Sequence, residues 1–225
     1  MGNGIWAIVY DLQNDGKENY LTWFHEVHIP EKLSRPGYES AAHFRSLDAE
    51  ASEKPAGSSC RGASNLALFV GETTRTFFDP SPGQLKQRQD ELTRTMIGRR
   101  IGAVSTIYTI EWRMDQNGFY PGSGEAPIGR FIRMERFADP DKDEDLEVWC
   151  AQERAIQVSR IPGCLGITKV LAAMGAPRHA LISEFSDLDC PEAKALFSNR
   201  REPENPGPFG FCGVPFSGQR ICPPV

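Results

Sequence analysis

The chain repeats itself, and that constrains its fold more than any other feature. Trp23 and the Pro36-Gly37 pair recur as Trp149 and Pro162-Gly163, in each case 126 positions further on. The apolar stretch NLALFVGE, residues 65–72, is matched by RHALISEF, residues 178–185, after a shorter loop. Several matches in the same order point to an internal duplication, so whatever one half folds into the other should fold into as well.

Hydrophobic periodicity gives the plan of one half. GIWAIVYDL near the N-terminus is short, apolar and rich in β-branched and aromatic residues, as a strand is. From Lys17 to Ile29 the period is helical, with Tyr20, Leu21, Phe24, Val27 and His28 on one side. Strands are expected at Tyr38 to Leu47, Asn65 to Glu72 and Gly102 to Arg113. Pro82 to Arg100 reads as one helix with Leu85, Gln89, Leu92 and Met96 on its stripe. The resulting order is β-α-β-β-α-β, the ferredoxin-like plan. A Gly/Pro-rich linker follows at 115–127, and the plan restarts with a strand at Ile128 to Phe137 and a helix at Asp143 to Arg160. Strands at Cys164 to Leu171 and His179 to Phe185 come next, then a short helix at Pro191 to Asn199. The last stretch, Arg200 to Val225, is broken by prolines and reads either as a short irregular strand or as a tail wrapped over the surface.

A four-stranded sheet with helices on one face must cover its other face. Two such units in one chain can cover each other, so the expected fold is α+β. It consists of two ferredoxin-like repeats, 1–114 and 128–225, packed sheet to sheet as an intrachain pseudo-dimeric α/β barrel. Monomer and homodimer are both compatible with that arrangement.

Composition closes off several classes. A net charge of −5 with no basic stripe argues against nucleic acid as a partner. No apolar run is long enough to cross a bilayer, and the N-terminus lacks the pattern of a secretory leader, so the expected location is cytoplasmic. The six cysteines form no C-x-x-C pair and read as free thiols, although Cys212 and Cys222 share one tail.

The candidate chemistry lies in WFHEVHIPEKLSRPGY, residues 23–38. Leu21, Phe24, His25 and His28 lie at i, i+3, i+4 and i+7, so both histidines border the core-facing stripe. Pro30 disfavours helix at Ile29, which would leave His28 in a last turn. There the helix dipole favours the imidazolium and burial favours the neutral ring, a balance that suits proton transfer. The competing reading is a structural histidine that caps the helix. His25-x-x-His28-x-x-Glu31 also has metal-ligand residue types, but its i, i+3 spacing and the interruption by Pro30 argue against a metal, and no cofactor is expected. In the second half the position of His28 is taken by Arg154 and that of Pro30 by Ile156, so a single acid–base pocket is expected, in the first half.

The pattern W-x4-H-I-P followed by P-G-aromatic, here Trp23, His28, Ile29, Pro30, Pro36, Gly37 and Tyr38, resembles the first-helix motif of dimeric α/β-barrel proteins, the EthD-like families especially. That resemblance implies a pocket between sheet and helices for a small apolar or aromatic molecule, with a histidine from this helix in its wall. His28 and His25 are then the expected catalytic residues, with Tyr10, Trp23, Phe24, Tyr38, His43 and Arg154 as the expected substrate contacts. The implied activity is cofactor-independent proton transfer of lyase, cyclase, isomerase or oxygenase type. The alternative is a non-catalytic ligand-binding or stress-related barrel.

Overall fold

A computed structural model describes residues 3–48, 63–115, 118–121, 129–137, 143–198, 209 and 211–224. Cys60, most of the 47–64 loop and much of the 115–127 linker fall outside these residues. The first half contains β1 (Gly4–Leu12), α1 (Lys17–Trp23), a π-helical turn (Phe24–His28), α2 (Ile29–Leu33), β2 (Tyr38–Ser46) and β3 (Asn65–Gly71). A 3-10 turn (Thr74–Phe77), α3 (Pro82–Gln87), α4 (Glu91–Ile97) and β4 (Arg100–Asp115) complete it. Strand β5 (Gly118–Pro121) follows, inside the span expected to be a linker. The second half has β6 (Phe131–Phe137), α5 (Asp143–Trp149), a second π turn (Cys150–Arg154), α6 (Ala155–Ser159), β7 (Cys164–Met174), β8 (His179–Phe185), α7 (Pro191–Ser198) and β9 (Phe216–Cys222).

All strand pairs are antiparallel. The order β1-β3-β2-β9-β6-β8-β7-β4 returns to β1 through a further β1–β4 ladder, so eight strands form a closed barrel, with β5 added at the end of β4. Two junctions join the halves edge to edge, β4 on β7 and β9 on β2. Of the tail expected to be either a short irregular strand or a surface wrap, residues 200–208, 210 and 225 lie outside the described residues. Its last segment, FSGQRIC, is the strand that closes the barrel, and closure leaves no sheet edge open within the ring.

Strand alternation separates three cores. Ile5, Ala7, Val9, Phe44, Leu66, Leu68, Ile132, Met134, Val170, Ile182 and Phe216 fill the barrel. Trp6, Ile8, Tyr10, Ala67 and Phe69 face outward and pack under Tyr20, Leu21, Trp23, Phe24 and Ile29 of the first helical layer. Leu181, Ile167 and Phe185 do the same under Leu146, Trp149, Cys150, Ala155 and Val158 of the second.

Three local expectations are corrected. The helix does not stop at Pro30. A π turn at Phe24–His28 precedes it, the Ile29 N–H donates to the Phe24 carbonyl, and α2 runs on to Leu33 with the proline in its first turn, where a missing N–H costs little. The proline is not what makes the turn, because the second π turn has Ile156 at that place. The wider turn also advances each residue by a smaller angle, so Val27 misses the buried face and is 52 % exposed. The expected helix from Pro82 to Arg100 is two helices. Asp90 starts the second by accepting the Thr93 N–H at 2.6 Å, which stops the first at Gln87 and leaves Leu92 exposed.

Candidate functional site

The residues expected to form the site are gathered on the helical side of the first half, but not as a ring around His28. Tyr10 on β1 and His43 on β2 point outward from the barrel, Tyr20 on α1 faces them from the helical layer, and all three are buried. Arg100, the first residue of β4, donates from Nε to Tyr20 Oη at 2.8 Å. Tyr20 Oη donates to Tyr10 Oη at 3.0 Å, Tyr10 Oη lies 3.0 Å from His43 Nε2, and His43 Nδ1 lies 2.7 Å from His25 Nε2.

Arg100 fixes the direction of this chain. A guanidinium only donates, so Tyr20 accepts there and spends its own proton on Tyr10. Tyr10 then donates to His43 Nε2. A neutral His43 must carry its proton on Nδ1 and donate it to His25 Nε2. Every link points from Arg100 toward His25, whose ring is half-buried.

Burial dominates the electrostatics. It pushes both tyrosines up, Tyr10 well above the usual phenol range, against the pull of the Arg100 guanidinium. Burial also pushes His25 down, and His43 well down, with further depression from Arg45 on both and from Arg100 on His43. The chain is therefore uncharged at neutral pH except at its Arg100 end. The Arg100 guanidinium lies 4.7 Å from the Tyr10 ring centre and 5.3 Å from that of Phe24, a cation held over aromatic faces.

His28 does not sit at a helix end, so no terminal dipole supports its charged form. Its ring lies 4.6 Å from Trp23 and 5.5 Å from Phe24, and desolvation, aided by Lys32, Arg100 and Arg35, lowers its pKa to about 2. It is a neutral imidazole, and its buried Nδ1 has no hydrogen-bond partner. Glu31 Oε2 lies 3.9 Å from it.

Glu31 belongs also to the wall of a cavity of about 420 Å³ between α2 and the α3–α4 region. Lys32, Arg35, Pro36, Tyr38, Thr76, Leu85 and Arg88 are among its other lining residues. Tyr38 is thus the one expected contact that lines this cavity. Gly37 makes its position possible, because at φ +80° an added Cβ would lie 2.8 Å from Thr76 Oγ1. Lys32 is almost fully buried, and its pKa falls to about 8 through desolvation and Arg35, against the opposing pull of Glu31.

The sequence reading missed Lys32, Arg35, Tyr20 and Arg100. Lys32 is four residues after His28, a spacing that would have placed it on the buried face. Arg154 is not among the first-half groups. It donates through Nε and Nη2 to Glu135 of β6, which also accepts from Arg133, so its charge is committed within the second half. His25, His28 and Glu31 do not converge on a metal position. Among the described residues, the ligand atoms that lie close enough together belong to Glu111, Glu147 and His179, around the Lys169 ammonium. Cys212 and Cys222 are unpaired thiols.

No protein-family model and no curated protein sequence matches the chain. Solved structures do. An anthrone oxidase-like protein aligns with a TM-score of 0.62 and 9 % identity, over 96 % of this chain and 89 % of that one. A putative monooxygenase from Lactobacillus acidophilus aligns at 0.53 with 10 % identity, over 97 % and 93 %. A dye-decolorizing peroxidase from Bacteroides thetaiotaomicron aligns at 0.52 with 12 % identity, over 98 % and 93 %. The chain shares their α+β fold, built on a closed eight-stranded antiparallel barrel. At these identities the likeness is one of fold, and it extends over the whole barrel. Among the described residues, no helix is long and apolar enough to cross a membrane.

Proposed function

We propose that the chain is a cofactor-independent enzyme that transfers a proton on a small, largely apolar or aromatic molecule, with histidine as the carrier. The observation that carries this reading is the continuous chain His25–His43–Tyr10–Tyr20–Arg100, four neutral proton-bearing groups in line with one fixed cation. A purely structural core would be filled more cheaply with apolar side chains, as the barrel interior is. His28 stands between this chain and the cavity, since Arg100 of the one and Lys32 and Arg35 of the other all depress it. A base of such low affinity for protons serves as a hydrogen-bond acceptor and positioning group. The proton-carrying role therefore falls to His25, the half-buried ring at the end of the chain, with His43 relaying between it and Tyr10 as a neutral ring.

The structural neighbours bear oxidase, monooxygenase, dismutase and peroxidase names, which makes oxygen chemistry the first to assay. We also take the two halves to be a tandem duplication of one ferredoxin-like unit. The two π turns, the helices flanking them and the starts of β2 and β7 all fall 126 positions apart, which supports this view.

The test is oxygen uptake and absorbance change with anthrones, hydroquinones and related phenols, for the native chain and for His43→Gln and His25→Ala. The reading expects turnover above the protein-free rate and a loss of ~10²-fold or more in each variant, the scale of general acid–base assistance. Full activity in both variants would remove the histidines from the mechanism. The second reading, a non-catalytic binding protein, is favoured by one specific feature, the Trp23 and Phe24 rings that fill the space beside His28.

A further inference from the structure

The cavity between α2 and α3–α4 holds hydrogen-bond donors with nothing to donate to. Tyr38 Oη and Arg35 Nη1 are buried without a partner. Among the described residues, Lys32 Nζ is paired with Glu31 Oε1 alone, at 3.9 Å, which is beyond hydrogen-bonding distance. The acids of the same wall are otherwise engaged. Glu31 Oε1 accepts from Arg35 Nη2 at 2.6 Å, Asp90 caps α4, and Asp79 faces Arg75 at 3.9 Å. The two buried donors need an acceptor, one of them belongs to a cation, and the Lys32 ammonium is a second cation in the same wall. The remaining walls include Pro36, Pro80 and Leu85, and the volume is in the range that takes a one- or two-ring molecule.

We propose that this cavity binds a small aromatic carboxylate, its two oxygens accepting from Lys32 Nζ, Arg35 Nη1 and Tyr38 Oη, and its ring lying against Pro36, Pro80 and Leu85. The inference goes beyond the proposed function by naming a second ligand site and its ligand class; neither His25 nor His43 lines the cavity, so binding here does not rest on their proton transfer. A carboxylate supplies several acceptor positions and one negative charge, which matches three donors and the uncompensated cation. Neutral phenols and amides fill the same space without the charge.

The pH dependence follows from Lys32. Arg35, Arg100 and Glu31 act on it directly, His28 lies beside it as a neutral ring, and Arg88, Asp79, Asp90 and Tyr38 complete the wall. With its pKa near 8, Lys32 is an ammonium at pH 7 and an amine at pH 9.5. Anion binding should therefore weaken as pH rises through 8. At pH 8.5 it should draw a proton from the buffer.

Isothermal titration with 4-hydroxybenzoate and its uncharged isostere 4-hydroxybenzamide tests this. At pH 7 the carboxylate should bind at least tenfold more tightly than the amide. Lys32→Met should erase that preference, and Lys32→Arg should keep it while losing the weakening between pH 7 and 8.5, a range in which the ligand's phenol stays largely protonated. Circular dichroism confirms folding, and if Lys32→Met does not fold, Lys32→Arg decides alone. Equal affinity for the two probes, or an unchanged pH dependence in Lys32→Arg, overturns the proposal. His43→Gln should bind 4-hydroxybenzoate as the native chain does. Loss of turnover with binding intact, or binding with no turnover at all, therefore bears on the enzyme reading and leaves the site standing.

Discussion

His43 and Lys169 occupy the same place in the two halves, 126 positions apart on the helix-facing sides of β2 and β7, and both are fully buried. Their surroundings differ in kind. Around His43 stand Tyr10, His25 and, through Tyr10, Tyr20, all neutral groups, with Arg100 as the cation at the end of the chain. Around Lys169 stand Glu111, Glu147 and His179, with Asp143 beyond, and next to them Glu135 is held between Arg133 and Arg154. His28 and Arg154 make the same contrast at the ends of the two π turns. One backbone plan thus carries two electrostatic solutions. The second half fixes its charges against one another. The first half excludes charge from groups that could carry it and so keeps them exchangeable.

If that contrast is right, removing one charge should hurt the second half most. Glu135→Ala would leave two guanidiniums facing each other in the interior, and we expect a loss of ~3–5 kcal/mol in denaturant unfolding. Burial raises the Glu135 pKa, but Arg154 and Arg133 pull it below the usual carboxylate value. Its contribution is then complete above the unfolded-state pKa and is lost as pH falls through the lower folded one. Lys169→Met should cost less, ~2–3 kcal/mol, because Glu111 and Glu147 are each about a third exposed and water screens part of their repulsion.

The first half should show itself through pH. His28 has a folded pKa of about 2, far below that of the unfolded chain, so the unfolded state binds the extra proton. Its contribution is complete above pH ~6.5 and falls by about 1.4 kcal/mol per pH unit below that, or about 2 kcal/mol by pH 5. His28→Phe should flatten that slope in chemical denaturation at pH 7, 6 and 5. The smallest effect is expected for Tyr10→Phe, about 1–2 kcal/mol, since it strands the Tyr20 proton and His43 Nε2 but leaves no charge unpaired.

Much of this was legible in the sequence. The 126-residue spacing located both π turns without revealing that they were π turns, since the apolar pattern of Phe24 to His28 fits either helical period over so short a run. Tyr10 and His43 were named, and alternation along β1 and β2 put them on an outward face once the closed barrel decided which face was inward. The tail was legible only as one of two alternatives, a short irregular strand or a wrap, because FSGQRIC lacks the apolar alternation of a half-buried strand and acquires its place from the β2 and β6 edges it joins. Arg100 and Lys32 were hidden for a common reason. A cation in a sequence signals a wet surface by default, and only packing shows that one lies over aromatic rings and the other in the wall of a cavity.

The central claim is that the first half holds its histidines uncharged. Nitrogen-15 NMR of the four imidazoles, followed from pH 8 to pH 4.5 and assigned with His25→Ala, His28→Phe and His43→Gln, tests it directly. The account predicts that His28 keeps neutral-ring shifts to the bottom of that range, and that His43, protonated on Nδ1, and His25 both titrate below 6.5. A His28 or His43 resonance that titrates at or above 6.5 in the folded protein would contradict it.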